Sequence, residues 1–277
     1  MKTVLVTGAT QGIGLHTAMR LAQTGHHHVV LHARSTSSGS KALEECAGVK
    51  GARRENLSLV TGDLSDLSQV KGLADQVKES VDGLDVLINN AGVFAQEERQ
   101  VSHDGFELTY ATNVLAPYLL TRLLLPRMKE NGHIITTASL SASGRVPWDD
   151  LQLERGSYSN HKAYSLSKLL DIMFTFSLHR KLPGMGYPTL KTNTLDPGTV
   201  DTRMLRQGWA MRGVPLSTAD NTFKLATEQA PTGISKSLTS GKYYVDNKIY
   251  SPPEAARPPE SQDRLWDILE EQCRAYL

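Results

Sequence analysis

The chain has 277 residues, 30 Lys and Arg against 29 Asp and Glu, a formal net charge of +1, and 39% apolar residues. That length suits one large α/β domain, and the balanced charge leaves no electrostatic footprint for wrapping nucleic acid or docking on an anionic membrane. Cys46 and Cys273 lie far apart without metal-ligand or redox-motif spacing, which fits a reducing, cytoplasmic compartment.

The N-terminus carries no basic, apolar, cleavable leader, so no targeting segment is expected. No apolar run approaches the ~20 residues of a membrane span. The stretch 114–126 is too short and is interrupted by Thr121 and Arg122, so it reads as a buried helix. His26-His27-His28 invites a metal, but three consecutive side chains cannot converge on one ion from a single regular element. No metal site is expected.

Apolar, β-branched runs alternate with longer stretches of helical period through the first two thirds. This pattern predicts a doubly wound parallel sheet with helices on both faces. Strands are predicted at 3–7, 28–32, 57–61, 86–89, 134–137 and 191–195. Helices are predicted at 14–24, ended by Gly25 as a C-cap, and at 67–81, 106–129 and 158–182, where Pro183-Gly184 stops the last. Pro and Gly are then scattered over 198–213, and a Pro-rich piece runs over 252–259. Leu265, Ile268, Leu269 and Tyr276 fall at helical spacing in a final amphipathic segment, 263–276. There is no internal repeat.

The first strand runs into Thr7-Gly8-Ala9-Thr10-Gln11-Gly12-Ile13-Gly14, which opens a helix. Such glycines let the backbone turn tightly and approach a pyrophosphate, while the helix N-terminus offers free N–H groups and the positive end of its dipole. A purely structural turn is the competing reading. At the end of the second strand a carboxylate would accept from a ribose 2′-hydroxyl, whereas a guanidinium would pair with a 2′-phosphate. The chain reads His32-Ala33-Arg34-Ser35 there, so NADP(H) is expected, with a solvated surface arginine as the alternative.

Tyr164 and Lys168, at i and i+4, share a helical face. A positive charge about 4 Å from the phenol, at an effective dielectric of about 20, is worth about 4 kcal/mol, or roughly 3 pK units before desolvation. The expectation is a phenol drawn towards neutral pH, where general acid–base catalysis works best. Ser139, ending the run 134–139, stands to hydrogen-bond a substrate oxygen. Ser141, Ser143 and Tyr158 compete for that role.

The spacing Gly-x-x-x-Gly-x-Gly, with several further segments, resembles the short-chain dehydrogenase/reductase family over residues 1–202. Asn89-Asn90-Ala91-Gly92 resembles its motif after the fourth strand, Asp63-Leu64 its adenine-contacting pair, and Asp196-Pro197-Gly198 its Pro-Gly turn beside the nicotinamide. The resemblance implies a single-domain Rossmann fold over 1–277 and a catalytic set of Asn113, Ser139, Tyr164 and Lys168, in which Asn113 holds a water that links Lys168 to solvent. It implies cofactor contacts from Gly8, Thr10, Gln11, Gly12, Ile13, Gly14, Arg34, Ser35, Asp63, Leu64, Asn90, Ala91, Gly92, Tyr164, Lys168, Pro197, Gly198, Val200 and Thr202.

Ser139 and Tyr164 are 25 positions apart, more than in the shortest members of that family. The extra stretch 144–157 carries Trp148-Asp149-Asp150-Leu151 and resembles the retinol dehydrogenase and WW-domain oxidoreductase branch. Vertebrate retinol dehydrogenases usually carry a membrane anchor that is not read here, so the branch names a neighbourhood rather than a substrate. The expected reaction is reversible hydride transfer between NADP(H) and the carbonyl or alcohol of a lipophilic small molecule. A substrate lid is expected at 198–217, contacting substrate through Met204 and Trp209, with simple packing on the domain as its alternative, and a C-terminal extension at 250–277.

A catalytically idle NADP(H)-binding redox sensor or scaffold is the reading from a different class. A sugar-nucleotide epimerase also shares Tyr-x-x-x-Lys. Family members often assemble through the helices expected at 106–129 and 158–182, so a homodimer is open, with the insertion before Tyr164 standing on that surface.

Overall fold

In the computed structural model, which describes residues 1–228 and 239–277, six parallel strands lie in the order β3-β2-β1-β4-β5-β6. They are β1 (Lys2–Val6), β2 (His27–Ala33), β3 (Leu57–Thr61), β4 (Leu84–Asn89), β5 (Met128–Thr137) and β6 (Lys191–Asp196). The sheet continues through β7 (Lys242–Val245), parallel to β6, and ends at β8 (Lys248–Tyr250), antiparallel to β7. Alternation along each strand feeds two cores. Leu5, Val30, Leu87 and Ile134 face one, and Val4, Val6, Val29, Leu31, Ile88 and Ile135 face the other.

On the second face lie α1 (Gly12–Gln23), α2 (Thr36–Ala47) and the short α8 (Asn221–Ala226), which contribute Leu21, Leu43 and Phe223. Gly25, at φ +67°, follows α1 as the predicted C-cap glycine. The first face carries α3 (Leu67–Ser80), whose N-terminus Asp66 caps through the amides of Ser68 and Gln69. It also carries α6 (Asn160–Lys181) and α9 (Pro259–Cys273). Among the described residues no helix is long and apolar enough to cross a membrane.

The single helix expected at 106–129 is a composite. After α4 (Leu108–Tyr110) the chain makes a π-helical turn, Ala111–Leu115, before α5 (Ala116–Leu124). The cause is local, because Pro117 has no N–H and leaves the Asn113 carbonyl without its donor four residues on. The Ala116 amide correspondingly reaches back five residues to Ala111. The strand expected at 134–137 also starts earlier, at Met128, directly after a 3₁₀ turn.

α9 lies across α5 and α6. The Trp266 ring meets Tyr118 edge-on at 5.2 Å and stacks on Phe174 at 6.3 Å, while Arg122 pairs with Glu270 and Arg180 with Asp263. The insertion joins this layer, with Trp148 beneath the Arg264 guanidinium at 4.5 Å. The helix face left open to a homodimer is therefore covered from within the chain.

Two histidines are held neutral by burial. The Asn193 amide donates to His133 Nε2 at 3.0 Å, and the Gly8 amide donates to His32 Nδ1 at 3.1 Å while Nε2 donates to the Gly62 carbonyl at 2.9 Å. Burial drives His133 down to about 3 and also lowers His32. Because both folded-state values lie below the unfolded 6.5, the stabilisation is complete above pH 6.5 and falls away in acid, for His133 down to about pH 3. Thermal unfolding at pH 5.0 against pH 7.5 should show a loss of about 2 kcal/mol from His133, and His133→Gln should flatten that dependence.

Candidate active site

Strand order reverses beside β1, whose neighbours β2 and β4 carry the chain away in opposite directions, and this opens a crevice at the carboxyl ends of the strands. Thr7 ties its two banks together. Its hydroxyl accepts from the amides of Asn90 and Ala91, each at 2.9 Å, and its carbonyl accepts from Asn90 Nδ2 at 2.9 Å. The glycine turn and the Asn89-Asn90-Ala91-Gly92 segment are thus one unit. Gly8 takes φ +65° and Gly12 φ +56°, and a side chain on Gly14 would run into the Gly8 carbonyl oxygen and the Asn90 amide.

The N-terminus of α1 fits an anionic ligand. Gln11 at the N-cap offers no side-chain hydrogen bond and the first turn holds no acidic residue, so the amides of Gly12, Ile13 and Gly14 keep the positive end of the dipole free. α2 and α3 contrast with it, being capped by Ser35 and Asp66. Thr10 is half-buried and Gln11 exposed at the rim of the turn.

Arg34 is exposed just beyond β2, with no acidic residue in the first turn of α2. The Ser35 side chain serves as cap, accepting from the Ser38 amide at 3.4 Å. Asp63 turns Oδ1 to the amide and hydroxyl of Ser65, while Leu64 beside it is buried. Across the crevice Gly198, at φ +94°, donates to Asp196 Oδ1 at 2.7 Å, next to Pro197. Val200 bridges to Val214, and the Thr202 methyl would be 3.5 Å from a Cβ on Gly12, which brings the start of the expected lid against the glycine turn.

α6 presents Tyr164 and Lys168 to the end of β5, and both are buried. Lys168 Nζ donates to the Thr137 carbonyl at 2.8 Å and to Asp171 Oδ2 at 2.9 Å, and lies 5.7 Å from the centre of the Tyr164 ring. Asn113, on the π turn, accepts from the Val93 amide at 2.8 Å and donates to the Val93 carbonyl and to Ser167 Oγ. A Cβ on Gly92 would sit 3.5 Å from Asn113 Oδ1 and 3.8 Å from Lys168 Nζ, so Gly92 leaves the space between them open. Ser139 pairs with Ser141 Oγ at 2.9 Å and stands beside the phenol, whose pKa it lowers. Of its competitors, Ser143 donates to the Arg145 carbonyl and Tyr158 to Glu107, so neither is directed at the phenol.

The expected acidification of Tyr164 is overturned. Burial raises the phenol above its ordinary value; Lys168 and Ser139 pull it down, but Asp171 and Asp196 push the other way. Desolvation, expected only to offset part of the ammonium's effect, outweighs it, and the carboxylate paired with the ammonium was not counted.

Trp209, on α7 (Arg203–Trp209), meets the Tyr164 ring edge-on at 5.2 Å. Phe94 stands 5.0 Å from Trp209 and 5.7 Å from Tyr164, and His161 completes the cluster at 4.9 Å from Phe94. Met204 is half-buried on the same helix. Phe94, His161 and Asp171 were not anticipated, although His161 precedes Tyr164 by one helical turn and Asp171 follows Lys168 by another. Those helical spacings were the available signal.

The family model for short chain dehydrogenases matches residues 2–213, and the chain belongs to that family. It is 32% identical over 289 residues to retinol dehydrogenase 13 of Homo sapiens, covering 96% of this chain and 82% of that protein. It is 34% identical over 279 residues to polyprenol dehydrogenase of Mus musculus, again covering 96% and 82%. A blue fluorescent protein from a metagenomic library, solved in complex with NADPH, is similar with a TM-score of 0.66 and 25% identity across 89% of this chain and 96% of that one. The protein is thus a nicotinamide-dependent oxidoreductase of the retinol dehydrogenase-like branch.

Gly14→Ala should cost about 1–3 kcal/mol through overpacking and weaken dinucleotide binding. Gly72→Ala, on α3 with nothing near its Cβ, should gain up to about 1 kcal/mol. Thermal melts of both variants with dinucleotide titrations check this pair.

Proposed function

We propose that the protein is an NADP(H)-dependent reductase and dehydrogenase, interconverting a carbonyl and its alcohol on a small lipophilic molecule, with Tyr164 as acid and base. One observation carries the reading. Tyr164, Lys168, Asn113 and Ser139 converge at one end of the crevice whose other end is an uncapped helix N-terminus. The dinucleotide, when bound, supplies the hydride for the carbonyl carbon or takes it back.

The chain's own residues do the rest. As the carbonyl π bond breaks, Tyr164 delivers its phenolic proton to the oxygen, and Ser139 donates a hydrogen bond to that oxygen as charge develops. Lys168, through the one N–H that Thr137 and Asp171 leave free, would meet a water held by Asn113, along which a proton returns to the tyrosinate. The phenol stands above its ordinary value and is protonated at neutral pH, so it is ready as the acid. Carbonyl reduction should therefore be level through neutral pH, whereas alcohol oxidation should climb as pH rises into the alkaline range.

Arg34 and the acid-free start of α2 support a 2′-phosphate, as does the NADPH complex of a similar structure. The aromatic cluster at Tyr164, with Met211, Val214 and Leu140 exposed, supports a lipophilic substrate. So do relatives named for retinol and polyprenol. We assign 198–217 as the lid over that substrate and 250–277 as the extension that closes the α5–α6 face. A homodimer through that face would have to displace Trp266, so the protomer is expected to act alone there. The buried Cys46 and Cys273, both unpaired, suit a reducing, cytoplasmic compartment.

NADPH oxidation across aldehydes, ketones and quinones tests the activity, and binding without turnover on every compound would favour the sensor reading. Tyr164→Phe should lower turnover by about 10²–10⁴-fold while leaving cofactor affinity nearly intact. Arg34→Glu should weaken NADPH binding by about 10–100-fold, the worth of a charge-assisted pair, with little effect on NADH. Equal weakening of the two dinucleotides would remove the NADP assignment.

A further inference from the structure

Asp171 is the one member of the α6 face that the proton-transfer steps above leave unused. Tyr164, Lys168 and Asp171 follow one another at i, i+4 and i+7, so the helix aligns phenol, ammonium and carboxylate in a row. The carboxylate is 1% exposed, receives the ammonium at 2.9 Å through Oδ2, and has no partner at Oδ1. A charge buried that far persists only beside an opposite charge.

Resting on the function proposed above, we propose that Asp171 is a positioning residue for Lys168. It fixes the ammonium against the Thr137 carbonyl and cancels its charge as felt at Tyr164, so that the phenol stays protonated across the neutral range.

The surrounding charges agree with this. Lys168 is opposed by burial but held above its ordinary value by Asp171 and the phenol, so the ammonium is present. Burial pushes the Asp171 carboxyl up to about 6, against the pull of Lys168, so the pair is charged at neutral pH and neutral overall. The other groups bearing on the phenol are Asp196 at the end of β6 and Ser139 after β5. Neither carries a positive charge. His161, a turn before Tyr164 on α6, packs its ring on Phe94 and Trp209. Lys168 is therefore the lone cation acting on the phenol among these neighbours, and Asp171 decides how much of it is felt.

The test is the pH profile of kcat/KM for alcohol oxidation with saturating NADP. In Asp171→Asn the ammonium is uncompensated, and the acidic limb should move down by about one pH unit or more, with the alkaline limb of carbonyl reduction moving alongside. An unmoved limb in a folded variant of normal thermal stability overturns the proposal. If the amide prevents folding, Asp171→Leu occupies the same buried space without a charge and is read in the same assay. The native enzyme provides an independent readout, the tyrosinate absorbance titration of wild type minus Tyr164→Phe without dinucleotide. The phenol should titrate above pH 10, and a midpoint near neutrality would show that the charge of Lys168 is not cancelled. A fully active Tyr164→Phe enzyme defeats the proposed function, whereas an inactive one with an unmoved Asp171→Asn profile defeats only this inference.

Discussion

Everything near the chemical centre depends on how a fully buried ammonium is satisfied. Lys168 cannot enter the interior without partners, because an unpaired charge there would cost several kcal/mol. It finds one on a strand, the Thr137 carbonyl, and one on its own helix, Asp171. Those two bonds fix α6 in rotation and height against β5. The same rotation brings Tyr164 to the strand end beside Ser139, and Ser167 to Asn113.

A second set of constraints joins this centre to the crevice. Thr7 holds the glycine turn to the segment after β4, and Gly92 continues from there into the space bordered by Asn113 and Lys168. The π turn follows from Pro117, yet it falls at Asn113, where an irregular helix redirects a side chain that a regular one would carry past. On the far bank, Thr202 touches the glycine turn and begins the segment that lays Trp209 on Tyr164. An edge-to-face aromatic contact is worth about 0.5–1.5 kcal/mol.

β1, β2 and β4 were legible because a strand covered on both faces carries an unbroken apolar run, as at Val4–Val6, Val29–Leu31 and Val86–Ile88. α2 was not, since its opening Thr36-Ser37-Ser38-Gly39 has the composition of a loop. It is a helix because Gly39 allows close approach to Leu59 and because Ser35 caps it. β7 and β8 were missed for a related reason. They are four and three residues long, with lysines at their starts, and strands that short carry almost no periodicity. The candidate site was legible where chemistry dictates residue type, as at Tyr164, Lys168, Ser139 and the glycine turn.

Spacing in the chain was enough to announce a dinucleotide-binding α/β domain, a Tyr and a Lys on one helical face, and a cation instead of a carboxylate after the second strand. These are local matters, settled by the helical period, by the φ angles open to glycine and by side-chain charge. Only the folded molecule decided the ionisation of Tyr164, the covering of α5 and α6 by α9, and the contact of Trp209 with the phenol. Each of these depends on desolvation or on partners far apart in sequence. Burial and long-range pairing are properties of the packed chain, with no counterpart in residue order.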